Sequence, residues 1–91
     1  MFYIYAVHKN KDDGAIEQLR YSDRFGEMQI KSCSKASMIR HINRYPNTVM
    51  TMYVLCGRWV TGEHVHVVDN EYLRTDANDI KADNLVNLKE Y

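Results

Sequence analysis

Residues 48–56 read Thr-Val-Met-Thr-Met-Tyr-Val-Leu-Cys, an uncharged, apolar and β-branched run closed by Pro46-Asn47 before it and Gly57 after it. The run is too short for a buried helix and too continuous for a strand with one wet face. It therefore predicts an interior strand, buried on both sides. The segment before it obeys a different period. Met38, Ile39, Ile42 and Tyr45 fall on one stripe at helical spacing, with Lys35, Arg40 and Arg44 turned outward. Ser34 is placed to accept a hydrogen bond from a free N–H of the first turn. Arg40, His41 and Arg44 sit where the helix dipole favours positive charge, and Pro46 ends the helix because the residue before proline is pushed out of the α region. A helix over residues 34–45 feeding an interior strand is the frame that everything else has to fit.

The remaining segments read as short strands and turns. Residues 2–7 are aromatic and β-branched, a strand. Asn-Lys-Asp-Asp-Gly at 10–14 is a turn signal, followed by an amphipathic strand over 15–21. Residues 22–26 turn again, and Met28 and Ile30 alternate with polar neighbours as a short third strand. Beyond the interior strand come Trp59 and Val60, a turn at Thr61-Gly62-Glu63, a strand over 64–68, a turn at Asp69-Asn70 and a strand over 72–75. The tail from Asp76 to Tyr91 is polar and turn-rich until Leu85, Val86 and Leu88, which dock it on the body through a short turn begun by Asp83. Strands, one helix, then strands give an α+β domain over residues 1–91. The expected sheet is small, antiparallel and meander-like, with about five to six strands and the helix on one face. One helix cannot cover both faces, and the bare face calls for a partner or a second copy.

Charge narrows the function classes. Lys plus Arg and Asp plus Glu balance at 12 each, so non-specific nucleic-acid binding, which needs a strongly basic surface, is not expected. Near-zero net charge also weakens self-repulsion and favours a homo-oligomer. The chain has seven tyrosines, side chains that suit half-buried strand faces and interfaces alike. No apolar run is long enough for a membrane helix, and the N-terminus is not signal-like. Cys33 and Cys56 lie in regular segments and read as free thiols in a reducing, cytoplasmic setting.

Few constellations promise chemistry. His64 and His66, two apart on a predicted strand, point to the same side and are weak candidates for a metal pair, with Asp69, His41 or His8 as a third ligand. The alternative is a polar strand face with Val65 and Val67 toward the core. Cys56 ends the most apolar stretch, where burial opposes a reactive thiolate. Cys33, just before a helix N-terminus, reads as the more reactive of the two. The four glycines are isolated at turns, so no phosphate loop is present. No catalytic residue emerges. The candidate contact residues for a ligand or partner are Arg40 and Arg44 on the helix, Arg58 and Trp59 after the interior strand, and Arg74. Such side chains stack bases, grip phosphates or anchor protein interfaces.

The C-terminal third carries a resemblance. Gly62-Glu63-His64-Val65-His66-Val67, Tyr72-Leu73-Arg74-Thr75 and Asp83-Asn84-Leu85-Val86-Asn87-Leu88 resemble a small bacterial and phage family of unknown function, whose members open with an Ile/Val-rich strand and turn as residues 2–14 do. The chain departs at its end, where Leu88-Lys89 stands in place of Leu-Pro. The resemblance implies a small, stand-alone intracellular domain and supplies no catalytic residues. Read physically, the segment is a clasp. Arg74 pairs with Asp83 or caps tail carbonyls, while Asp83 and Asn84 set the turn that docks Leu85 and Leu88. The function expected is a non-catalytic module that binds a protein partner or itself, without a cofactor, in the manner of a phage or mobile-element protein that blocks a host factor. The alternatives are a binder of a nucleotide-like anion and, more remotely, a metal-dependent hydrolase built on His64 and His66.

Overall fold

The computed structural model describes residues 1–75, 83–85 and 88–91. In chain order they form β1 (Phe2–Lys9), β2 (Ile16–Ser22), β3 (Lys31–Ser34), α1 (Lys35–Arg44), β4 (Val49–Leu55), β5 (Arg58–His64), β6 (His66–Val68), β7 (Tyr72–Arg74) and β8 (Lys89–Glu90). The class is α+β, with one helix among the described residues, as the sequence implies. Ser34 caps that helix, its hydroxyl accepting from the Ser37 N–H at 3.1 Å, and Tyr45 closes it.

The sheet is mixed, which corrects the expected antiparallel meander. Its order is β3-β2-β1-β4-β5, with β8 joined to β1. Both β4 and β8 run parallel to β1, Phe2 lying opposite Val49 and Ala6 opposite Lys89. The reason is directional. Two antiparallel turns leave β3 running the same way as β1, and a helix that carries the chain back across the face delivers β4 in that direction too. Parallel neighbours need such a crossover, and this one helix is enough to supply it. The strands β6 and β7 form a separate hairpin through Asp69-Asn70, both at positive φ.

The core lies between α1 and the sheet. Met38, Ile39 and Ile42 meet Ile4, Val7, Ile16, Leu19 and Val49, and Val65 and Leu73 close it from the small hairpin side. Each such side chain contributes about 1.5–3 kcal/mol by leaving water. Phe2, Leu85 and Leu88 pack against this cluster from its rim, so the tail docks through leucines as expected. Val86 lies outside the described residues.

Four local expectations are corrected. β4 is interior only in its first half: Val49, Thr51 and Met52 are buried, whereas Val54 and Leu55 are 55% and 56% exposed. Met28 and Ile30 stand exposed in the loop before β3, because the residues that pair with β2 begin at Lys31. Gly62 is no turn; it lies inside β5. The strand expected over 64–68 is broken at Val65, which leaves the β5 ladder, donates its N–H to the Val49 carbonyl at 2.9 Å and buries its side chain.

Candidate functional site

Asp83 does tie the tail to the body, and the cation it meets is Lys35. Asp83 accepts from the Leu73 N–H through Oδ1 at 2.9 Å, and through Oδ2 from the Ile16 N–H at 2.8 Å and Lys35 Nζ at 3.0 Å. Its side chain is 3% exposed. One carboxylate thus ties the start of β2, the first residue of α1 and β7 to the tail. Asn84 continues the tie, its N–H donating to the Leu73 carbonyl and its carbonyl accepting from the Thr75 N–H. Arg74 is 5% exposed, within the body.

The other candidates are dispersed. Arg40 and Arg44 are exposed on α1. Arg44 lies over the ring of Tyr45, and Arg40 borders a hollow of about 340 Å³ with Lys35, Asn43, Asn70 and Glu71. His41 does not share their exposed side: it is half-buried, its ring 4.9 Å from that of Phe2. Arg58 is exposed at the β4–β5 turn. His64 is exposed at the end of β5 and His66 half-buried at the start of β6. Among the described residues no three His, Cys, Asp or Glu side chains gather as a metal site would require. No helix among them is long and apolar enough to cross a membrane.

What the fold does assemble lies on the sheet face away from α1. Along β1, Phe2 and Ile4 point to the helix side, so Tyr3 and Tyr5 point to the other. The loop over residues 23–30 folds across part of that face. There the Phe25 ring lies 5.8 Å from that of Tyr3, the Tyr5 hydroxyl donates to the Gln29 carbonyl, and the Gly26 N–H meets the sulfur of buried Met52 at 3.4 Å. Asp23 holds the loop's shape by accepting from Lys31 and Gln29. Those two hydrogen bonds, that from Lys31 first, bring its carboxyl below the usual carboxylate range. Beyond the loop an open groove of about 610 Å³ remains, walled by Tyr5, Tyr53, Val54, Trp59 and Tyr91, with Arg20 at its side. The Arg20 guanidinium stacks 4.1 Å from the centre of the Tyr91 ring, and the Tyr91 carbonyl is hydrogen-bonded to the His8 imidazole.

Of the five candidates drawn from the sequence, Trp59 alone lines this groove. The tyrosines of β1 were legible as an alternation with Phe2 and Ile4. Arg20 and Tyr91 carried no such signal, because only the parallel docking of β8 brings them together.

Residues 3–89 match the family model described as protein of unknown function, DUF3892. The chain belongs to the DUF3892 family. Neither the curated proteins nor the solved structures contain a match. The DUF3892 match takes in the opening strand as well as the C-terminal segments, so the expectation of a family without assigned activity holds at that level. It does not single out the Tyr-Leu-Arg-Thr and Asp-Asn-Leu segments. In this DUF3892 domain the functional reading therefore rests on the groove.

The thiols also part from expectation. Cys56 is exposed, at φ 53° in the turn between β4 and β5, because the run it ends emerges from the body. Cys33 lies in β3 against the core, and burial pushes its thiol up, so the helix start does not make it reactive. In native protein iodoacetamide is expected to modify Cys56 first and Cys33 appreciably only on unfolding. Peptide mass mapping after timed quenching reads the order, and faster loss of Cys33 would refute it.

Proposed function

We propose that this DUF3892 domain is a non-catalytic binding module that holds a protein partner in the groove on the bare face of its sheet. The observation that carries the reading is the groove's lining. Tyrosine, tryptophan and arginine are the side chains that dominate interface energetics when gathered in one concave patch, and here Tyr5, Tyr53, Trp59, Tyr91 and Arg20 share one. Exposed Met28 and Val54 at its borders extend the apolar area. A nucleotide-like anion is the less favoured occupant, since Arg40, Arg44 and Arg58 stand apart from the groove and its lining is mostly aromatic and apolar. A cytoplasmic protein of a phage or mobile element that occupies a host factor, or one that assembles with itself, is the finer form of the same proposal.

Immobilised wild-type protein is expected to retain a protein from a bacterial lysate. Trp59→Ala and Val54→Glu should lose it, and Arg40→Ala should keep it. Val54 is exposed, so its substitution tests the surface without disturbing the core. Failure of the wild type to retain anything, together with a strictly monomeric sedimentation profile, would sink the proposal. A thermal-shift screen against nucleotides supplies the opposing arm. A ligand at 100 times its Kd adds about 2.7 kcal/mol, and such a shift would move the assignment to an anion site.

A further inference from the structure

The main sheet is split. β4 pairs with β1 only through Val49, Met50 and Thr51, opposite Phe2, Tyr3 and Ile4. Further along the same edge of β1 its place is taken by β8, with Lys89 opposite Ala6 and Glu90 opposite Val7. Among the described residues no ladder joins β4 to β8. The outer half of β4 and the outer edge of β8 therefore flank a gap, and that gap is the groove, whose lining includes Tyr53 and Val54 from one side and Leu88 and Lys89 from the other.

The hairpin turn fixes which backbone groups face the gap. Cys56 and Gly57 have φ 53° and 79°, the two-residue turn in which the flanking residues, here Leu55 and Arg58, form the hydrogen-bonded pair. Alternation makes Val54 and Trp59, which lie opposite each other, the pair without hydrogen bonds. The N–H and C=O of Val54 consequently point away from β5, toward the gap. On the other side the Tyr91 N–H donates to the Val7 carbonyl at 3.0 Å. In a parallel ladder that assignment turns the N–H and C=O of Glu90 away from β1, also toward the gap. Two strand edges that face each other across an apolar groove, with no ladder between them among the described residues, form a template for a further strand.

We infer that the gap receives an extended segment of a protein partner, which adds a strand between β4 and β8 and completes the sheet. The inference rests on the groove being a protein site, and it names how the partner binds. Charge specifies the segment. Among the described residues Arg20 and Lys89 line the groove and no Asp or Glu side chain does, so the added strand carries an acidic residue beside aromatic or β-branched ones that fill the space between Tyr5, Tyr53 and Trp59.

Panning a displayed library of random short peptides on the whole chain tests this. Selected sequences should combine acidic with aromatic or β-branched residues. A synthetic peptide of the selected sequence should slow hydrogen exchange at the Val54 and Glu90 amides. Val54→Pro removes an outward N–H and no bond to β5, and should weaken that peptide about tenfold. Arg20→Glu should weaken it and shift selection toward basic peptides. If the proline variant fails to fold, exchange at Val54 in the wild type decides. A peptide that binds without protecting Val54 overturns strand addition while leaving the groove as a protein site. Selection of no peptide also overturns it, and capture from lysate then judges the groove separately. Concentration-dependent protection of Val54 in the chain alone would assign the gap to a second copy and overturn the partner strand.

Discussion

Replacing Asp83 by alanine is expected to lower stability by about 3–5 kcal/mol, the range for breaking a buried, hydrogen-bonded charge pair. Urea unfolding should show the loss as a lower midpoint at an unchanged slope. The cost falls mainly on the backbone. Lys35, with its side chain 18% exposed, can turn its ammonium to water once the carboxylate is gone. The N–H groups of Ile16 and Leu73 cannot follow, and each buried donor left unsatisfied costs about 1–3 kcal/mol. Asp83→Asn should fall only part-way short of alanine, since both carboxylate oxygens accept and an amide nitrogen in either place sets donor against donor. For a domain whose whole stability is about 5–15 kcal/mol, the alanine variant should be substantially unfolded at modest denaturant. A loss below about 1 kcal/mol would mean that the tail is not what ties β2, α1 and β7 together.

The chain shows where sequence is legible and where it is not. The helix could be read to within a residue because Ser34, the Met38-Ile39-Ile42 stripe and Pro46 all act locally. The Asp-Gly turn before β2 and the Asp69-Asn70 turn are local signals of the same kind. Strand direction is not local. Nothing in residues 48–56 says that the strand lies parallel to β1, nor that β8 displaces its second half from the sheet, and so the run by itself predicts an interior place for Val54 and Leu55 that the fold does not give them. The candidate site suffered for the same reason. Arginines chosen by charge alone scatter over the surface, apart from Arg74, which is buried. The groove is assembled by β1, β2, β4, β5 and β8 together. Asp83 read as a turn former with an arginine partner, because the lysine that meets it stands 48 positions earlier in the chain.

Gly62→Ala is expected to destabilise the domain by about 1–3 kcal/mol, although the general preference runs the other way. A glycine inside a strand ordinarily weakens it, and alanine there recovers roughly 0.5–1 kcal/mol of backbone entropy. Here the added Cβ would stand 2.0 Å from the Thr51 hydroxyl oxygen and 3.3 Å from both the Thr51 Cβ and a ring carbon of Tyr53. Thr51 is 1% exposed and β-branched, so its χ1 has little freedom to move the oxygen aside. The backbone of β5 must retreat instead, beside the register shift between Met50 and Met52. The clash therefore outweighs the entropic gain. Thr51→Gly combined with Gly62→Ala removes both threonine contacts, and a double-mutant cycle should return about 1–3 kcal/mol of favourable coupling. Because β5 also carries Trp59, its retreat opens one wall of the groove, and the single variant's tryptophan emission should shift to the red while the double variant's does not. Equal stability of Gly62→Ala and wild type would show that β5 is not pressed on β4 at this point. The gap that Val54 and Trp59 border would then lack the fixed wall that an added strand requires.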